Sequence, residues 1–219
     1  PSGEGRIPSG RCTQKVDYSD RDSNGLSKSK IDSNAVAFKT KNGRTVYDYG
    51  GVEPDVVIKP ETYSTILLAM LEKRIIFNYA NEFKFNNNKI PPVENFVFTD
   101  QMYEDFLSYA VNQNIEYETY TERQIANLEQ SVKDDKFSEA VNKEINQLKE
   151  LVKKEKSKDL ERYKKEIKEL LYLEIVSRYY YQKGRLQASL QIDPEMIKAK
   201  DLLHNLHEYT ALLKGKTKK

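Results

Sequence analysis

The residues of this 219-residue chain whose types and spacing could do chemistry are few: His204 with His207, Ser9 in a Pro8-Ser9-Gly10-Arg11 turn, Cys12, and the block Arg178-Tyr-Tyr-Tyr-Gln-Lys-Gly-Arg185. Two imidazoles three apart on one helix share a face and could share a metal. They lack the intervening glutamate and third ligand of a zincin, so they read as surface or interface histidines. Acyl transfer needs a nucleophile within hydrogen-bond reach of a base, plus oxyanion donors. No motif around Ser9 supplies these, and Ser9 reads as a structural turn residue. Cys12 is the only cysteine, so it can form no intramolecular disulfide, and it lacks metal-ligand spacing. The tyrosine and cation block could stack on a nucleic acid or an extended peptide. The preferred reading packs its rings between neighbouring helices, with the hydroxyls at the edge. No catalytic, metal or cofactor-binding residue is therefore assigned.

Composition narrows the classes further. Lys+Arg 36 against Asp+Glu 34 gives a net charge of +2, so no long-range field argues for nucleic acid or an anionic membrane. The basic end Lys214-Gly-Lys-Thr-Lys-Lys219 reads as a solvated terminus. No apolar run is long enough to span a membrane, and no signal-peptide pattern opens the chain.

The elements that must position these residues begin with a hairpin. Asn42-Gly43 supplies the two positive-φ positions of a two-residue type I′ turn, which predicts pairing of Ala35–Lys41 with Arg44–Tyr49. Gly50-Gly51 and Pro54 break the second strand, and Val56-Val-Ile58 resumes extended structure. Everything later reads as helix. Thr62 or Ser64 caps a helix to about Tyr79 that is apolar on more than one face, and it is expected to be the most buried long segment. Asn86 to Pro92, rich in asparagine and proline, is expected to close that unit. Thr99-Asp100 starts the next helix. Three amphipathic patterns follow from Thr121, and the second and third are compatible with an antiparallel helical hairpin around Lys154 to Lys158 or with a single continuous rod there. Gly184 interrupts or ends the third. Asp193-Pro194-Glu195 restarts the last helix, with Asp as N-cap and Pro at N1.

Several blocks of this chain resemble, in order, the end of the protease domain of carboxyl-terminal processing (tail-specific) serine peptidases that carry a long helical C-terminal extension. They are Ile7-Pro-Ser-Gly-Arg-Cys12, Asn42-Gly-Arg-Thr-Val-Tyr-Asp48 and Gly50-Gly-Val-Glu-Pro-Asp-Val56, followed by Ile76-Phe-Asn-Tyr-Ala80, Phe98-Thr-Asp100 and Glu174 to Arg185. The resemblance implies cleavage of proteins near nonpolar carboxyl termini by a serine nucleophile with a lysine base. Both lie upstream of the Pro-Ser-Gly-Arg segment in that family, and no position here matches either. Residues 1–6 are polar and glycine-rich where relatives carry an aromatic strand, so the chain is expected to start after the active-site segment or to have that segment replaced.

The reading is an α+β chain, mainly α. Residues 1–60 form the β-rich end of a protease core, with 1–6 linker-like; 61–92 form a buried helix and linker; 93–219 form a C-terminal helical domain. The expected role is non-catalytic: structural, substrate-enclosing or oligomerising. The resemblance implies a periplasmic or cell-envelope setting. It implies as partners the protease core and its peptide-binding domain, unfolded or tagged protein substrates, and a second copy or an adaptor protein. No nucleic acid and no cofactor are expected. The alternative is a free-standing helical interaction module of the cell envelope.

Overall fold

The computed structural model describes residue 11 and residues 36–41, 43–47, 54–59, 62–137 and 139–214. In chain order its elements are β1 (Ala37–Lys39), β2 (Thr45–Tyr47), α1 (Thr65–Glu72), α2 (Ile75–Asn86), α3 (Asp100–Val111), α4 (Tyr120–Asp134), α5 (Glu139–Lys156), α6 (Asp159–Arg162), α7 (Lys164–Ile192), α8 (Pro194–His204) and α9 (Leu206–Leu213). The fold is α+β and mainly α, as expected. Two compact units divide it, one of Thr62–Ile192 and one of Pro1–Glu61 with Asp193–Lys219.

In the second of these, the hairpin forms with a shifted register. Ala37 pairs with Tyr47, Phe38 with Val46 and Lys39 with Thr45, and the Thr40 amide donates to the Arg44 carbonyl at 2.8 Å. Three residues therefore separate Thr40 from Arg44, not the two expected. Gly43 sits at φ +79° and its amide donates to the Thr40 carbonyl at 2.9 Å, the arrangement of a three-residue loop that needs one left-handed position. A one-residue slip exchanges the two faces of a strand, so the difference decides which side chains share a face. Val56 to Ile58 join no strand pairing; instead Asp55 forms a two-armed ion pair with Arg44. Asp193 caps α8 as expected, accepting from the Glu195 and Met196 amides.

In the unit Thr62–Ile192, Ser64 is the N-cap of α1, its hydroxyl accepting from the Leu67 amide at 3.3 Å. The single helix expected to Tyr79 divides at Arg74, which takes φ +57°. The break re-aims the chain so that Ile66, Leu67 and Met70 on α1 and Ile75, Ile76, Tyr79 and Ala80 on α2 enter one core. α2 lies along α7, and α3 adds Tyr103 and Phe106, the latter edge-on to Tyr79 with centroids 5.1 Å apart.

Two expectations are amended here. α1 and α2 bury Ile66, Leu67, Met70, Ile75 and Ile76 as expected but turn Leu68, Leu71 and Phe77 outward, whereas 166–180 in α7 has no exposed residue. Residues 87–99 do not end a unit. They cross α7 as a strap, with Val93, Phe96 and Phe98 in the core and Phe96 stacked on Tyr172 at 5.8 Å. Prolines there prevent a helix but do not prevent packing.

The first and second amphipathic patterns, not the second and third, form the helical hairpin. α4 starts one turn-residue earlier than Thr121, with a capping box between Thr119 and Glu122, and ends at Asp134. The chain reverses at Lys136, φ +54°, and α5 returns, burying Ile125 and Val132 against Ile145. Stripes of equal quality specify that a helix has a partner without naming it. The third pattern belongs to α6 and α7 and joins the large core.

α7 is two helical arms in direct succession, broken at Tyr181, where the chain bends back at φ +56° and ψ −157°. The bend brings Gln191 to the Tyr172 hydroxyl, 3.2 Å away across nineteen positions of sequence. Gly184 does not itself interrupt the helix. A Cβ there would lie 2.1 Å from the Tyr180 Cβ, so its role is to let the two arms, 164–180 and 182–192, close on each other.

Candidate functional site

The residues flagged by type do not converge on a reaction centre. Ser9 and Cys12 lie outside the described residues. His204 ends α8, its Nδ1 2.8 Å from the Lys200 carbonyl, while His207 belongs to α9. Asn205, at φ −98° and ψ 75°, breaks the single helix that would have set the two rings on one face. Among the described residues no group of three or more His, Cys, Asp or Glu could hold a metal ion. The described serines are spoken for as well. Ser64 caps α1, and Ser108, Ser131, Ser157, Ser177 and Ser189 donate to carbonyls three or four residues back.

Arg178, Tyr179, Tyr180 and Arg185 of the tyrosine and cation block pack within the unit, in line with the packing reading, while Tyr181, Gln182 and Lys183 are exposed. The Tyr179 hydroxyl donates to the Asn87 carbonyl at 2.5 Å and the Tyr180 hydroxyl lies 3.0 Å from the Pro91 carbonyl, so both tie α7 to the strap. Arg178 lies 4.3 Å over the Phe77 ring, its Nε donates to Asn81 Oδ1 at 2.6 Å, and its Nη1 meets Ser177 Oγ at 2.9 Å and Glu174 at 3.2 Å. Arg185 from the second arm pairs with the same Glu174 carboxylate. One anion thus holds a guanidinium from each arm of α7. Only Tyr181 of the three tyrosines is exposed.

A second polar cluster was not legible in the sequence. It surrounds Asp159, the one buried charged residue among those described. The Asp159 carboxylate accepts from the Tyr117 hydroxyl at 2.8 Å and from Arg162 at 2.5 Å, and the adjacent Leu160 carbonyl accepts from the Tyr103 hydroxyl at 2.5 Å. Lys156 donates to the Tyr117 carbonyl, lies 4.2 Å over its ring and reaches both Glu122 oxygens at 2.9 Å. Lys156, Asp159 and Arg162 of this cluster line a cleft of about 320 Å³ together with Thr65, Ile66 and Tyr163. The cluster fastens the α4–α5 hairpin to the main core. Burial pushes the Tyr117 hydroxyl pKa well up, and the Asp159 hydrogen bond adds to it, so the phenol stays a donor at any working pH. The single available sequence signal was Thr119-x-x-Glu122; Asp159 stands in a run of Lys and Glu that gives no hint of burial.

Glu122 makes this fastening pH-dependent. Burial pushes its carboxyl up, but the Thr119 backbone and hydroxyl and the Lys156 ammonium together outweigh that and hold it below the ordinary carboxylate range. The unfolded chain therefore takes up the proton first as pH falls. The stabilisation is complete above the unfolded value and is lost as pH drops through the lower folded one. Urea unfolding followed from pH 7 to pH 3 should show this loss, and Glu122→Gln should flatten it; an unchanged slope would remove Glu122 from the account.

Against known families, residues 66–203 match the family described as probable PDZ-protease, C-terminal helical domain. The match runs from α1 into α8, so it takes in the strap, the bent α7 and both polar clusters. The chain belongs to this family. No curated protein and no solved structure matches it. Its hairpin, with Arg11 Nε donating to the Tyr47 carbonyl at 2.6 Å and Arg44 clasping Asp55, lies outside the matched range.

Proposed function

We propose that this helical domain serves a tail-specific serine endopeptidase that cleaves proteins near nonpolar carboxyl termini, and that it contributes neither nucleophile nor base. It encloses substrate, braces the protease core or mediates self-association in the periplasm or cell envelope. Its partners are that core with its peptide-binding domain, and unfolded or tagged protein substrates. The family match over 66–203 carries the reading. Two further observations support it. The ordered blocks in residues 7–56 resemble the end of a tail-specific protease domain, and the contacts from Arg11 to Tyr47 and from Arg44 to Asp55 draw three of those blocks together. The described serine hydroxyls are engaged with helix backbone rather than with a base.

The test is a cleavage assay on a protein ending in apolar residues. The purified 219-residue chain should leave it intact. Joined to the coding sequence that precedes it, the same chain should cleave it, and replacing the upstream serine by alanine should abolish the activity. Cleavage by the chain alone, surviving removal of contaminating proteases, would refute the non-catalytic role. Inactivity of the extended protein would favour the free-standing interaction module instead.

A further inference from the structure

We propose that the second arm of α7, residues 182–192, is an exchangeable element, and that the partner it fits is the first arm of a second copy of this chain. Three observations carry the inference, none of which enters the functional reading above.

The first is the hinge. Tyr181 alone departs from helical geometry within α7, and it does so at φ +56° and ψ −157°, a region that side-chain-bearing residues occupy only under strain. Its ring is 77 % exposed, so the packing of its own side chain does not hold it there. Were Tyr181 to become helical, 164–192 would run as one continuous helix, with the backbone hydrogen bonds restored across the break. A single-residue hinge between two segments that can merge is the geometry from which segment exchange proceeds most directly.

The second is Gly184. A Cβ at this position would sit 2.1 Å from the Tyr180 Cβ in the bent form, whereas residues four apart in a straight helix stand clear of each other. The bent form therefore depends on the missing side chain, and the straight form does not.

The third is the seat of the arm. Its bonds are few and chemically self-contained: Arg185 to Glu174, Gln187 to Glu94, and the Tyr172 hydroxyl to Gln191, with Ala188 buried among them. Its end, Gln191 and Ile192, lines an open groove of about 690 Å³ together with Phe96, Phe98 and Tyr172, and Ile192 packs against the core only in part. The same bonds can be made by an identical arm from another molecule. A departed arm would withdraw Ala188 and Ile192 from the core and leave the Tyr172 hydroxyl without Gln191, so the open form must be covered, and the arm of a second copy fits that surface by construction of the monomer itself.

The full chain, in a Cys12→Ser background, should be refolded at low and at high protein concentration and sized by light scattering. High concentration should yield a dimer that persists on dilution. Spin labels at Glu169→Cys and Leu190→Cys, diluted with unlabelled chain so that only distances within a subunit are read, should be far apart in that dimer, about 32 Å at 1.5 Å per residue, and much closer in the monomer. Gly184→Ala should raise the dimer fraction at least tenfold, and Tyr181→Gly, which relieves the strain without touching the packing, should lower it by a similar factor. If Gly184→Ala does not fold, the comparison of wild type with Tyr181→Gly decides. Only monomer at every concentration, a dimer that keeps the short distance, or a dimer fraction indifferent to Tyr181→Gly would each overturn the proposal.

Discussion

Replacing Phe106 by alanine should lower the unfolding free energy by about 3–5 kcal/mol, the range for deleting a fully buried phenylalanine. Phe106 has no exposed surface and touches two other rings, Tyr79 edge-on at 5.1 Å and Tyr103 tilted at 6.0 Å. The loss is therefore transfer, cavity and ring-pair geometry together. Folded domains are stable by about 5–15 kcal/mol, so the variant should lose a large share of the total. Phe85→Ala is the control. That ring, on α2, is 87 % exposed, and its removal should change stability by about 0.5 kcal/mol or less. Urea titration of both variants checks the contrast, and equal losses would mean that Phe85 is covered or that Phe106 is not.

Arg178→Ala should cost about 2–4 kcal/mol, the range for taking one partner out of a mostly buried, hydrogen-bonded charge network. The guanidinium bonds Asn81, Ser177 and Glu174 and covers Phe77, with 19 % of its side chain exposed. Arg178→Lys should recover only part of this, because an ammonium cannot reproduce the planar fork or lie flat on the ring. Arg123→Ala, which breaks an exposed pair with Glu118, should cost under about 1 kcal/mol. Thermal unfolding of the three variants orders them. If Arg178→Lys matched wild type, the network would be held by charge alone.

Local chemistry made much of the fold legible. Ser64, Thr99 and Asp193 stand as caps at the helix starts that their residue types indicate, because a cap depends only on the three residues after it. The Asn42-Gly43 signal located the hairpin but not its register. A positive φ at Gly43 suits a two- or a three-residue loop, and the pairing beyond it decides between them. Both breaks at Arg74 and Tyr181 were invisible, since neither residue type favours a left-handed φ and only the packing on either side imposes it.

What the sequence by itself determined is the mainly helical class, the caps, and the family blocks that point to a peptidase. These rest on interactions between near neighbours or on ordered motifs, which need no knowledge of the distant chain. The tertiary structure alone decided which stripe meets which: α4 with α5, α2 along α7, and the second arm of α7 folded onto the first. It alone made Asp159 a buried hub and Glu174 a clasp for two arginines. The reason is physical. An apolar stripe or a charged side chain records that it needs a partner, but the partner is selected by which pairing buries the most surface and satisfies the most charges at once, a sum over residues far apart in sequence.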